Sequence, residues 1–228
     1  MRRIAKGKEP ASLTTHRQTA HADYDNYQDK DTLRRFLVVE QRGLCCYCLS
    51  RIYPNSASMK IEHWHSHENY PGEQLVYRNL LGACMGNEGK PRQQQYCDTR
   101  KGKNDLSRNP ADPARQVENL IRFEGDGRIV STDPAFDQEL NDVLNLNIAY
   151  LRNQRKAALE GFTMFLPRRS ELQRPTLERW LADWDGESHS NPLRPYCQVV
   201  IYWLRNRLAS PSSSRNRPKL GLLTVQSI

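Results

Sequence analysis

The sequence predicts an α+β fold, rich in helix, with a small cysteine-stapled module ahead of a helical region. Three observations lead there. Cys45 and Cys48 form a C-x-x-C pair, and Cys84 and Cys97 follow, so four thiols flank the stretch Lys60-Ile61-Glu62-His63-Trp64-His65-Ser66. Short strand-like blocks occupy residues 51–81, whereas apolar residues from 135 onward recur at helical spacing. The composition is polar, with 37% hydrophobic residues and a mean hydropathy of −0.81 over 228 residues, which fits a modest core carrying surface-rich arms and loops.

Residues 1–30 are polar and charged, with Pro10 and almost no apolar periodicity, and read as an extended arm that orders only against the rest of the protein or a partner. Residues 31–42 read as a helix. Asp31 would be its N-cap, Leu33, Phe36, Leu37 and Val39 its apolar stripe, and Gly43 its left-handed stop. After the C-x-x-C knuckle, Arg51-Ile52-Tyr53 and Met59 to His63 read as the two strands of a hairpin, joined by a turn at Pro54-Asn55-Ser56. Leu75 to Leu81 is apolar enough to lie against that hairpin. Asp98 to Asp105 should begin as a short helix that frays at Gly102.

Pro110 and Pro113 mark a boundary. Beyond it, Phe123 to Val130 has the look of a β-hairpin turning on glycine. From Ala135, residues Leu140, Leu144, Ile148, Leu151, Leu159 and Phe162 keep to one face, which predicts one long amphipathic helix with Arg152, Arg155 and Lys156 on or beside its polar side. Residues 176–184 and 196–208 supply two more helices, in which Trp180, Trp184 and Cys197 are packing residues. The expected organisation is therefore an arm (1–30), a cysteine-stapled module (31–109), a mainly helical accessory region (110–209) and a flexible tail (210–228).

A net charge of +8 and an isoelectric point near 9.3 favour a polyanionic partner such as nucleic acid, because each neutralised phosphate releases condensed counterions. A basic protein without such a partner is the plainer alternative. The basic start Met1-Arg2-Arg3 is not followed by an apolar segment, and no run is long enough to span a membrane, so the expectation is a cytoplasmic protein with no membrane partner. In a reducing cytosol paired cysteines read as metal ligands before disulfides.

A structural zinc site wants four soft ligands in a tetrahedron, and C-x-x-C lets two thiolates of one turn reach one ion. Cys45 and Cys48 supply that pair. Cys84 and Cys97 complete it if the residues 86–95 between them loop out, and Cys46 stands as an alternative to Cys45. The Glu62-His63 pair reads as metal-assisted phosphodiester chemistry, which needs a base, a divalent cation and a group that orients the base. Strand alternation points the two side chains to opposite faces, so they converge only where the strand ends. His65 and His67 read as solvated loop residues or as extra ligands. Gly86 to Lys90 is not a phosphate loop, because Pro91 stands where a hydroxyl residue is needed.

Taken together, Cys45-x-x-Cys48, Ile61-Glu62-His63, Arg78-Asn79-Leu80, Cys84 and Cys97-Asp98-x-x-Lys101-Gly102 resemble the HNH endonuclease family over residues 43–105. The opening segment, Glu62 in place of the commoner Asp, and the Cys-Asp ending further resemble the HNH subunit of Septu-type antiphage defence systems, also found beside retrons. The resemblance implies a zinc-stapled ββα-metal module that cleaves DNA or RNA, with His63 as general base, Glu62 and Asp98 holding a catalytic divalent cation, and Asn79 bracing the loop that carries His63. It also implies an ABC-type ATPase subunit as partner. Two departures stand out: Ser66 occupies the position of a usual Pro, and Asp98 that of a His or Asn. The acidic pair suits magnesium or manganese, and a part for Asn104 stays open. Arg100, Lys101 and Lys103 would grip the substrate backbone, or simply form a charged helix face. A non-catalytic zinc-binding adaptor and a toxin-like RNase acting alone are the alternatives.

Overall fold

The computed structural model describes residues 1–115, 117–164, 166, 173–189 and 191–210. Among them the fold is α+β. The helices are α1 (Ala11–Arg17), α2 (Lys30–Glu40), α3 (Cys97–Lys101), α4 (Pro134–Gln138), α5 (Ala149–Thr163), α6 (Arg174–Asp185) and α7 (Cys197–Ala209). Two antiparallel two-stranded sheets pair β1 (Met59–His63) with β2 (Leu80–Cys84), and β3 (Ile121–Phe123) with β4 (Ile129–Ser131). No helix among the described residues is long and apolar enough to cross a membrane.

The arm is ordered and holds a helix the sequence did not announce. Leu13 of α1 is fully buried, as are Met1, Ile4 and Tyr27 around it. Lys6 reaches inward, donating to Glu40 Oε2 at 2.7 Å and to the Leu80 carbonyl at 3.0 Å, with its ammonium 3.6 Å above the Tyr77 ring. The next helix, α2, starts slightly earlier than expected: its N-cap is Asp29, whose carboxylate accepts from the Thr32 amide, rather than Asp31. It ends where a left-handed residue was expected, at Gly43 (φ +77°), whose amide closes onto the Val38 carbonyl at 2.8 Å.

The expected hairpin between 51–53 and 59–63 does not form. The cysteine knuckle folds back so tightly that Arg51 bridges only to Leu44, and β1 pairs instead with β2, in register from Met59 opposite Cys84 to His63 opposite Leu80. Every residue of β2 is buried, which makes it the better partner for a strand that must hide Met59, Glu62 and His63. The Gln41 side chain then docks on β2 as a short strand would: Nε2 donates to the carbonyls of Leu44 and Gly82 at 2.8 and 2.7 Å, and Oε1 accepts from the Gly82 amide at 2.6 Å. Gly82 makes the room, since a Cβ there would stand 3.0–3.2 Å from Ile52, Met59 and Gln41.

The single long helix expected from 135 is broken. After α4 comes a π-helical turn, Glu139–Val143, then a loop that reaches α5 at Ala149. Asn side chains pin this loop by bonding backbone outside it, in competition with helix: Asn145 donates to the carbonyls of Gln93 and Gln95, and Asn147 bonds both backbone groups of Ile129. The break lets Leu144 and Leu146 both reach zero exposure. It also overturns the solvated placement of Arg155, which is buried and donates to the carbonyls of Gly127 and Leu146.

At the C-terminal end α6 and α7 pack together, and the Phe162 ring of α5 is met edge-on by Trp180, Trp184 and Trp203 at 5.5–5.7 Å. Cys197 is a fully buried core residue. One continuous apolar cluster links Met1, Leu33, Tyr47, Leu80, Val117, Phe136, Leu151 and Tyr196, so the core runs across the boundary expected at Pro110. The expected tail, apart from Ser210, lies outside the described residues.

Candidate functional site

The four cysteines converge from three places. Cys45 and Cys48 sit on the knuckle, where the Cys45 amide bonds the Ser50 carbonyl, Leu49 takes a left-handed φ of +65°, and the Ser50 amide points at Cys48 Sγ. Cys84 is the last residue of β2. Cys97 opens α3, its amide held by the Leu144 carbonyl at 2.9 Å. The residues between them close on themselves through Tyr96 to Gly86, as a looped-out insertion requires. Cys45 and Cys97 sulfurs are 3.9 Å apart, those of Cys48 and Cys84 3.7 Å, and all four lie within 4.8 Å of one another, buried. A tetrahedral zinc site with bonds near 2.3 Å has sulfur–sulfur edges of about 3.8 Å. The set is thus positioned to bind a metal ion and compatible with structural zinc. Cys46 stands outside it, and no other group of three or more such ligands gathers among the described residues. Burial raises the Cys97 thiol, whereas at Cys45 the hydrogen bonds of the neighbouring thiols outweigh burial and hold it well below the usual range.

The acid–histidine pair ends β1. Glu62 is 2% exposed. Its Oε1 accepts from Tyr47 Oη at 2.7 Å and from Lys101 Nζ at 2.9 Å. Asp98, in the first turn of α3, lies within hydrogen-bonding reach of the same carboxylate; burial and this second carboxylate push Glu62 well above the usual range, against the pull of Lys101 and Tyr47. Lys60, on the same face of β1, sets its ammonium 3.7 Å from Asp98 Oδ2 and 2.6 Å from Glu88.

His63 Nε2 lies 3.0 Å from the Gln74 carbonyl. A carbonyl only accepts, so Nε2 carries the proton and Nδ1 is left as the basic nitrogen. Burial lowers the His63 pKa to about 4, the bond to Gln74 opposing it, so the ring is neutral near pH 7. Tyr24 of the arm meets this ring edge-on at 4.4 Å, and His67 lies 4.9 Å away. Asn79, buried just ahead of β2, spans the turn that follows His63: Oδ1 accepts from the His65 amide, and Nδ2 donates to the carbonyls of His65 and Glu73.

The basic residues fare differently. Lys101, expected at the substrate, is 1% exposed and faces inward; besides Glu62 it donates to the His63 carbonyl at 3.1 Å. An ammonium so enclosed has no surface to offer a phosphate, which corrects that expectation. Arg100 donates to the Arg92 carbonyl, and Lys103 is exposed, paired with Glu68. Asn104 caps α3 by donating to the Lys101 carbonyl. His65 is stacked between Trp64 and Tyr70 with Nδ1 2.8 Å from Glu73, and His67 is exposed. Tyr47, Lys60, Gln74 and Tyr24 were missed. Only Tyr47 carried a signal, its place between two ligand cysteines.

Compared with known proteins, the chain matches no family model and no curated protein sequence.

Proposed function

We propose that this chain is a metal-dependent nuclease of the HNH kind, in which a zinc ion on Cys45, Cys48, Cys84 and Cys97 staples a ββα-metal module that hydrolyses phosphodiester bonds of DNA or RNA. What carries this is the nearness of Glu62, near the end of β1, to Asp98, in the first turn of α3, with His63 next to Glu62 on the strand. Two antiparallel strands and a helix in that order, with the acid–base groups at their junction, support it. His63 is the general base: its neutral Nδ1 takes a proton from the attacking water, while the Gln74 carbonyl holds the ring in that tautomer. Asn79 fixes the turn beyond His63. Glu62 and Asp98 form a hard, closely spaced carboxylate pair that fits magnesium or manganese bound largely through water and phosphate. A cation held there would neutralise charge developing on the phosphate. The net charge of +8 supports a nucleic-acid substrate. A role as effector of an antiphage defence complex in the cytoplasm, beside an ABC-type ATPase subunit, rests on the sequence resemblance alone.

The test is to incubate the purified zinc-loaded chain with plasmid DNA and with structured RNA, in magnesium or manganese and in chelator. Cleavage that needs the added cation and stops in chelator supports the reading; equal cleavage in excess chelator ends it. The burial of His63 under Tyr24 favours a second reading, a non-catalytic adaptor that binds nucleic acid through its basic surface. That reading expects steeply salt-dependent binding, no nicked product, and indifference to Glu62→Ala.

A further inference from the structure

Lys101 is the most enclosed charged side chain of the module, 1% exposed, and it answers three groups at once: Glu62 Oε1 at 2.9 Å, the His63 carbonyl at 3.1 Å, and the Gly102 carbonyl at 3.5 Å. A lysine that deep loses both hydration and the freedom of four torsions. Replacing a buried ion pair by apolar residues is often neutral or stabilising, so a need for stability does not explain it. Its geometry does. The Tyr47 hydroxyl and the Lys101 ammonium converge on one oxygen of Glu62, Oε1, and Asp98 acts on the same carboxylate. Lys101 lies one helical turn beyond Asp98 on α3, so the helix that supplies one carboxylate also supplies the brace for the other. The same ammonium holds the carbonyl of His63 and therefore the end of β1.

We infer that Lys101 and Tyr47 are positioning residues: they clamp Glu62 by Oε1, so that its second oxygen and Asp98 face one cation from fixed directions. The inference rests on the nuclease reading above, and it removes Lys101 from the substrate-binding surface. Because partners that orient a ligand typically tune metal affinity by about 10–100-fold, removing them should be seen directly in cation binding.

The experiment measures Mn2+ binding to the full-length, zinc-loaded chain from the signal of free Mn2+ in electron paramagnetic resonance, with cleavage assayed in parallel. Wild type, Lys101→Met and Tyr47→Phe are compared, each checked for zinc content and thermal midpoint. Lys101→Met should weaken Mn2+ binding about tenfold or more, and Tyr47→Phe severalfold, with zinc retained. The sign is diagnostic. Deleting a positive charge beside two carboxylates tightens cation binding if Lys101 acts only through its charge, and a packing role moves neither variant. Should Lys101→Met lose its zinc, Tyr47→Phe decides, since it removes one hydroxyl and keeps the ring. Wild-type Mn2+ binding and cleavage with both variants unchanged or tighter overturns this inference alone. A wild-type chain that neither binds Mn2+ nor cleaves overturns it together with the nuclease reading.

Discussion

Asn79 holds His65 by both ends of its backbone: Oδ1 accepts from the His65 amide at 2.7 Å and Nδ2 donates to the His65 carbonyl at 2.9 Å. This sets the turn immediately after His63. Asn79→Ala takes the acceptor from the half-buried His65 amide and should destabilise the protein by about 1–2 kcal/mol. Asn79→Asp keeps the acceptor and loses the donor, so it should fall between wild type and Asn79→Ala in denaturant midpoint and in cleavage rate.

The sulfur spacing suits a tetrahedral zinc ion, and binding at a structural zinc site is coupled to folding. Metal analysis should find one zinc per chain in wild type, and Cys48→Ser or Cys97→Ser should lose it. Structural zinc contributes on the order of 10 kcal/mol, comparable to a whole domain's stability, so the far-ultraviolet spectrum of those variants should collapse as well. Cys46→Ala, outside the set, should keep both zinc and fold.

Gln41 satisfies both backbone groups of Gly82 from inside the core. Gln41→Ala takes the side-chain acceptor from the Gly82 amide, whereas the Gly82 carbonyl keeps its bond from the Cys46 amide, and should cost about 1–3 kcal/mol by chemical denaturation. Gly82→Ala forces a Cβ against Ile52, Met59 and the same Gln41 amide, and should cost about 1–3 kcal/mol.

Phe162 is surrounded by three tryptophans. Phe162 is half-buried, so Phe162→Ala should destabilise by about 1–3 kcal/mol and shift tryptophan fluorescence to the red. Zinc content of the fraction that remains folded should stay at one per chain.

Much of the fold was legible where a signal is local. The cysteine knuckle, the Gly43 helix stop, the β3–β4 hairpin around Gly127 and the helices bearing Trp180 and Cys197 are each set by residues a few positions apart. What was illegible depends on residues far away in the chain. The choice of Leu80–Cys84 over 51–53 as partner of β1 follows from burial on both faces, which periodicity does not report. The break before α5 is made by Asn145 and Asn147 reaching backbone near 94 and at 129. Lys101 and Arg155 look solvated by residue type, and only the positions of Glu62, Gly127 and Leu146 explain why both are buried. In the site, the residue types of the acid–histidine pair are visible in the sequence, whereas the tautomer set by Gln74 and the ring of Tyr24 over His63 are properties of the fold.

The central claim is that the His63 imidazole, beside a cation on Glu62 and Asp98, cuts phosphodiester bonds. The direct measurement is the single-turnover cleavage rate of His63→Ala against wild type at saturating Mn2+, with zinc content and nucleic-acid affinity matched. The account predicts a rate at least about 100-fold lower with affinity unchanged, the scale of a lost general base. A His63→Ala chain that cleaves within a few-fold of wild type would contradict it.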